Sequence, residues 1–171
     1  MTLARWRAIH SRARCWLENR LGALTLLLMR LWVAFAFWQA GIVKWMDPAG
    51  TQYLFEEEYH VPLLPPDVAA LLGTWIELIA PWLLGLGIAG RLTALFLFIY
   101  NAIAVISYPD LWPHGFWRGL FNRTDFADHK VWGLMLLAVL AWGPGRWSVD
   151  ALIARFMRRR HAPEDDQGQR S

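Results

Sequence analysis

Long apolar runs dominate this sequence of 171 residues and decide what it can fold into. They cover residues 21–43, 68–89 and 92–108, and a shorter apolar run, 131–142, lies within a fourth segment at 127–143. A bilayer core about 30 Å thick needs roughly 20 apolar residues per helix. Because lipid offers no hydrogen bonds to the backbone, each run must be helical. We predict an all-α, integral membrane four-helix bundle in which the fourth span is the weakest.

Positive charge is concentrated at the two ends of the chain, although the net charge is only +3. Arginines precede the first run and follow the fourth: Arg5, Arg7, Arg12, Arg14, Arg20, Arg146, Arg155, Arg158, Arg159 and Arg160. Basic flanks stay in the cytoplasm, so both termini are predicted to face inward. Charge placed at the membrane surface favours anionic lipid as a partner and argues against nucleic acid.

Turn and cap residues divide the chain between these runs. Asp47-Pro48 predicts the start of a short outer helix after span one. Ser148 predicts the cap of a basic amphipathic helix over residues 148–160, lying on the inner leaflet. The predicted organisation is therefore a basic cytoplasmic segment (1–20), a membrane domain (21–160) and a disordered polar tail (161–171).

Ionisable groups within the spans are expensive and often functional. Arg30 lies nine residues into span one, and Glu77 nine residues into span two. In antiparallel helices these positions come to a similar depth, so we expect a guanidinium–carboxylate pair. Asn101 on span three, next to Tyr100, is predicted to join them in a ligand pocket, with Gln39 further out. The alternatives are a purely architectural ion pair and an interhelical asparagine.

A second polar group is predicted at the outer surface. Its members are Glu56, Glu57, His60, Asp128 and His129. Carboxylate and imidazole ligands would suit a divalent metal ion. A solvated acidic face and ordinary capping of the fourth helix explain the same residues.

Several redox centres are excluded by residue counts. The only cysteine, Cys15, cannot form an intrachain disulfide or a CxxC pair. None of the five histidines lies in the middle of a span, so no bis-histidine haem is predicted. The nucleotide-binding glycine loops that would favour a flavin are missing as well. Any redox centre would have to come from a bound quinone or a partner.

Three motifs resemble those of the DoxX family of membrane proteins. Span one closes in Phe37-Trp38-Gln39-Ala40-Gly41-Ile42-Val43-Lys44-Trp45. Span two contains Glu77, then Leu83-Leu84-Gly85-Leu86-Gly87, then Arg91. Asp128-His129-Lys130 precedes span four, and Gly143-Pro144-Gly145-Arg146-Trp147-Ser148-Val149-Asp150 follows it. The resemblance covers roughly residues 22–152 and maps the family's polar positions onto Gln39, Lys44, Glu77, Arg91, Asp128 and His129.

The resemblance implies a four-helix protein of the bacterial inner membrane, linked to redox or stress-related chemistry. We predict a membrane subunit of a quinone-linked oxidoreductase. Its predicted catalytic residues are Glu77 and Arg30, and its ligand-binding residues are Asn101, Gln39, Tyr100, Lys44 and Arg91. Whether the chain is itself an enzyme stays open. The alternatives are a non-enzymatic scaffold for a partner protein or homo-oligomer, and a small metal-handling or transport protein.

Overall fold

A computed structural model describes residues 3–160, with the backbone alone for residues 3–15, 18 and 19. The predicted tail, 161–171, lies outside the described residues. Residues 3–160 contain helices and no strand. The helices are α1 (Leu3–Met46), α2 (Pro48–Glu57), α3 (Pro66–Leu86), α4 (Gly90–Ser107), a 3₁₀ turn (Pro109–Leu111), α5 (Phe116–Phe121), α6 (Ala127–Trp142) and α7 (Val149–Arg160). The all-α prediction is confirmed.

Three helical segments of the described chain are long and apolar enough to cross a bilayer. They are Arg20–Met46 within α1, Pro66–Leu86 and Gly90–Ser107. Helix α6 has 16 residues, which corresponds to about 24 Å at 1.5 Å per residue. That is short of the roughly 30 Å of a bilayer core, so the fourth span stays a prediction. Helix α1 already begins at Leu3, which makes the basic N-terminal segment continuous with span one.

The outer surface of the bundle is apolar, as lipid contact requires. Leu28, Trp32 and Phe35 on α1 are each more than half exposed. A cluster of buried side chains forms the interior of the bundle. It consists of Val33, Ala34, Phe37, Ala80, Leu84, Ala94, Leu97, Leu136 and Val139. Since large apolar side chains face outward in such number, the bundle is that of a membrane protein.

Helices α1 and α3 pack antiparallel in a register defined by small residues. A Cβ on Gly41 would lie 2.8 Å from the carbonyl carbon of Glu77, and one on Gly85 would lie 3.7 Å from Cβ of Ala34. Small residues let two helix backbones approach closely in a membrane. Glu77 is therefore level with Gly41 on α1, and this register determines which polar side chains can meet.

Side-chain caps begin α2 and α7 where the sequence predicts them, and a residue distant in the chain caps α4. Asp47 Oδ1 accepts from the Gly50 N–H at 2.9 Å, as predicted for the start of α2. Ser148 Oγ accepts from the Ala151 N–H at 3.2 Å at the start of α7. Helix α4 has no cap of its own, and Asp150 from α7 accepts from the Ala89 and Gly90 N–H groups at 2.9 and 2.7 Å. Helix α7 is thereby tied to the bundle.

Candidate functional site

A buried ion pair joins the first two spanning helices near the end of the bundle that carries α2, called the α2 end below. Lys44 Nζ of α1 lies 2.6 Å from Glu77 Oε2 of α3. The Tyr100 hydroxyl of α4 donates to Glu77 Oε1 at 2.8 Å. Both oxygens of the carboxylate thus have charged or polar donors, which is what a buried carboxylate requires.

This triad borders a cavity of about 300 Å³ between α1, α3, α4 and α6. Its remaining walls are mainly apolar and aromatic, including Phe37, Ile76, Ile103 and Trp132. The Phe37 ring lies 5.5 Å from Trp132 and 6.0 Å from Tyr100, in tilted arrangements. An apolar cavity with a few convergent polar groups is the usual form of a small-molecule site.

His129, near the start of α6, lines the same cavity. Asn101 Nδ2 donates to the backbone carbonyl of His129 at 2.9 Å, and Asn101 Oδ1 lies 2.9 Å from His129 Nδ1. Asn101 is thus the interhelical hydrogen-bonding residue considered above, linking α4 to α6, and it does not join the carboxylate cluster.

The α2 end of the cavity is bordered by an aromatic stack of Phe55, Tyr59 and Tyr108. The Tyr59 ring lies 4.8 Å from Phe55 and 4.7 Å from Tyr108, nearly parallel to both. The Tyr108 hydroxyl donates to Glu58 Oε2 at 3.0 Å, and this bond raises the pKa of Tyr108. Burial, followed by the nearby Glu77 carboxylate, raises the pKa of Tyr59 to about 12.

A buried hydroxyl in the cavity wall, that of Ser107, has no hydrogen-bond partner among the described residues. Ser107 is 1% exposed and lines the cavity. Its Oγ makes no hydrogen bond to any described residue, while its backbone carbonyl accepts from the His60 N–H at 2.7 Å. Because a buried hydroxyl without a partner is unfavourable, this atom points to a polar ligand.

The predicted pair of Arg30 and Glu77 is wrong. Arg30 is fully buried at the opposite end of α3, where its guanidinium donates to the carbonyls of Leu84, Gly85 and Trp147 at 3.3, 3.0 and 2.6 Å. Glu77 is level with Gly41, eleven residues along α1, or about 16 Å away. Arg30 instead satisfies carbonyls at the C-terminus of α3, where a cation is also favoured by the helix dipole.

Two further predicted ligand residues lie away from the cavity. Gln39 is exposed on the outer side of α1. Arg91 is exposed at the start of α4, with its guanidinium near Gly143. Lys44 and Tyr100 do line the cavity. Of the predicted ligand-binding residues, the structure thus brings only Lys44 and Tyr100 together with Glu77.

The predicted outer metal group does not form within residues 3–160. No three histidine, cysteine or acidic side chains come together there. Glu56, Glu57 and Asp128 are exposed, and Glu56 Oε1 accepts from Gln52 Nε2 at 2.6 Å. The His60 ring lies 3.1 Å from the Glu58 carbonyl, and His129 faces Asn101. The acidic side chains therefore lie on a solvated face, as the alternative interpretation had it.

The cavity residues that were not predicted from the sequence include Phe37, Tyr59, Ser107 and Trp132. Phe37 could have been found, because Phe37, Gly41 and Lys44 follow each other at helical spacing on one face. Ser107 and Tyr59 carry no such signal. Ser107 ends α4, Tyr59 lies in the connection between α2 and α3, and only the tertiary structure brings both to the cavity.

Comparisons with known proteins agree with this architecture. The profile of the DoxX family matches residues 25–109, which are 85 of the 171 residues. The chain is 26% identical over 147 residues to an uncharacterized protein of Haemophilus influenzae, covering 82% of this chain and 91% of that one. No solved structure matches. The matched segment contains the Lys44–Glu77–Tyr100 triad, so the cavity site lies in the part of the chain that is similar to the DoxX family of membrane proteins.

Proposed function

We propose that this protein is the membrane subunit of a quinone-linked oxidoreductase, and that the cavity beside Glu77 holds the quinone head group. The observation that carries the proposal is the composition of the cavity wall. Aromatic side chains suited to a flat ring surround an ion pair, a tyrosine, a histidine and an unpartnered serine hydroxyl.

The polar groups fit a ring with oxygen atoms at opposite edges. Lys44 uses one N–H on Glu77 and keeps two for a ligand oxygen. The Tyr100 hydroxyl donates to Glu77, so its oxygen can still accept. Ser107 Oγ can do either. A bound quinone would supply a two-electron, two-proton carrier, and the chain would supply binding and proton handling.

We assign proton exchange with the bound quinone to Glu77. Its carboxylate is buried, is held by Lys44 and Tyr100, and borders the cavity. A group that exchanges a proton with a ligand must lie within hydrogen-bond reach of it. We assign Arg30 no catalytic part, because it lies about 16 Å away along α1.

The electron-transfer step requires a partner protein. The described residues offer neither a haem ligand pair nor a metal group, so electrons would pass between the quinone and a redox centre of another subunit. We place that complex in the bacterial inner membrane, with both termini in the cytoplasm, because of the basic chain ends. A role in redox or stress metabolism belongs to the same proposal.

The test is quinone retention. The protein is purified from its own membrane in mild detergent, and the quinone, lipids and proteins bound to it are identified by mass spectrometry. We expect stoichiometric quinone in the wild type and about a tenfold loss of affinity in Glu77→Gln, because Lys44 and Tyr100 then lose the charged acceptor that holds them at the cavity.

The matched control is Asp67→Asn, which makes the same chemical change on the exposed start of α3 and should retain quinone. Ordinary phospholipid alone in the wild type, with no quinone and no oxidoreductase partner, would contradict the proposal and favour a scaffold.

A further inference from the structure

The hydrogen bonds between Asn101 and His129 determine which ring nitrogen of His129 carries the proton. The backbone carbonyl of His129 can only accept, so the Asn101 atom 2.9 Å from it must be the amide nitrogen. Asn101 Oδ1 then faces His129 Nδ1, also at 2.9 Å. An amide oxygen can only accept, so Nδ1 must carry the hydrogen.

The neutral His129 ring therefore has a bare Nε2, which is a hydrogen-bond acceptor. Nε2 makes no hydrogen bond to any residue in the described part of the chain. His129 lines the cavity together with Lys44, Glu77 and Ser107, and Trp132 packs edge-on against its ring at 4.9 Å. The ring is thus held from two sides, which leaves its second nitrogen for a ligand.

A free acceptor and free donors in one cavity discriminate between the two redox forms of a quinone. A quinone carbonyl only accepts, so it can pair with Lys44 or Ser107 but leaves His129 Nε2 unpaired. A hydroquinone hydroxyl both donates and accepts, so it can satisfy Nε2 as well. Sites built to hydrogen-bond a hydroxyl reject analogues that lack it, because a buried polar atom is then left without a partner.

We propose that the cavity is selective for the reduced, hydroxyl-bearing form of its ligand. His129 Nε2, kept unprotonated by the hydrogen bonds of Asn101, is the atom that accepts a hydrogen bond from the hydroxyl. This rests on the proposed function, since it concerns the same cavity. His129 is the ligand-binding residue, and Asn101 is a positioning residue that acts through it.

The first experiment compares two probes on the wild-type protein. A decyl-benzoquinone and its reduced hydroquinone are titrated without oxygen into the purified protein in detergent, and quenching of tryptophan fluorescence reports binding. We expect the hydroquinone to bind at least about tenfold more tightly, the effect of one satisfied buried acceptor. Equal affinities, or tighter binding of the quinone, would overturn the inference while leaving quinone binding intact. Binding of neither form would overturn the proposed function itself.

Two variants test whether His129 causes the preference for hydroquinone over quinone. His129→Phe keeps a ring of similar shape and removes both nitrogens, so the affinity ratio should fall to about one. Gln39→Leu changes a polar side chain on the exposed side of α1 and should leave the ratio unchanged. An unchanged ratio in His129→Phe would show that another group makes the selection.

The tautomer can be read without any ligand. In protein labelled with ¹⁵N-histidine, His129 is assigned as the signal missing from His129→Phe. We expect a protonated Nδ1 and a bare Nε2 in the wild type at a pH where the ring is neutral, and a mixture of tautomers in Asn101→Leu. A protonated Nε2 in the neutral wild-type ring would contradict the inference whatever the stability of the variants.

Discussion

Lys44 and Glu77 form an ion pair at 2.6 Å between two helices that also meet at a glycine, one turn before the lysine. The Glu77 side chain is 9% exposed and that of Lys44 15%. Neither charge is favourable in this surrounding without the other, because breaking a buried pair leaves one charge without compensation. The pair therefore links the site's chemistry to the packing of α1 on α3.

Removing one partner of this pair should destabilise the protein. Lys44→Met leaves the Glu77 carboxylate with Tyr100 alone, and we expect a loss of about 3–5 kcal/mol in the free energy of unfolding. Denaturant titration in mixed micelles, followed by circular dichroism, measures it. The double variant Lys44→Met/Glu77→Gln should recover most of the loss. If the two single effects simply add, the pair is not coupled as described.

The close approach of α1 to α3 depends on Gly41. A methyl group in Gly41→Ala would meet the Glu77 backbone at 2.8 Å, so the helices must shift, at a cost of about 1–3 kcal/mol. Gly22→Ala is the matched control on the same helix, because nothing lies within 4 Å of its added Cβ. Alanine is the better helix former, so Gly22→Ala should be neutral or stabilising. Equal unfolding midpoints for both variants would contradict the predicted contact.

Arg30 should be structural, with its planar guanidinium as the required feature. Arg30→Lys keeps the charge but cannot reach all of the carbonyls of Leu84, Gly85 and Trp147 at once. We expect a loss of about 1.5–3 kcal/mol, the value of a charged hydrogen bond. Arg20→Lys, on the exposed side of the same helix, should change stability by less than about 0.5 kcal/mol. Quinone retention in Arg30→Lys, measured at a temperature where it stays folded, should match the wild type.

Stability should fall at alkaline pH through Tyr59. Its pKa is raised to about 12 in the folded protein, whereas an unfolded tyrosine has a pKa of about 10. The stabilisation is fully present below about pH 10 and is lost as the pH rises towards 12, because the unfolded state releases the proton first. Ultraviolet titration of tyrosinate should show a late component that disappears in Tyr59→Phe. Tyr53→Phe, at an exposed position, should leave that component in place.

The cap that Asp150 of α7 provides for α4 should contribute measurably to stability. Asp150→Ala leaves the N–H groups of Ala89 and Gly90 without their acceptor, at a cost of about 0.5–2 kcal/mol. Asp110→Ala, at an exposed position in the 3₁₀ turn, serves as the control. Amide hydrogen exchange at the start of α4 should become faster in Asp150→Ala alone, and unchanged exchange there would show that the cap does not stabilise the helix.

Much of the architecture follows from local sequence. The apolar runs required helices, Asp47 and Ser148 capped α2 and α7 as expected, and Pro109 follows the end of α4. These features depend on residues close together in the chain, so spacing and residue type are enough to predict them. The membrane orientation and the fourth span depend on the bilayer itself and stay predictions.

The partners of the buried charges were decided only by the tertiary structure. Sequence identified Arg30, Glu77 and Asn101 as costly groups within apolar runs, and all three are buried. They were predicted to form one cluster because their depth in the membrane was counted from the ends of the apolar runs. Depth is instead set by the register of α1 against α3, which depends on where Gly41 and Gly85 allow the backbones to meet. That register pairs Glu77 with Lys44, places Arg30 at the end of α3, and leaves Asn101 to orient His129.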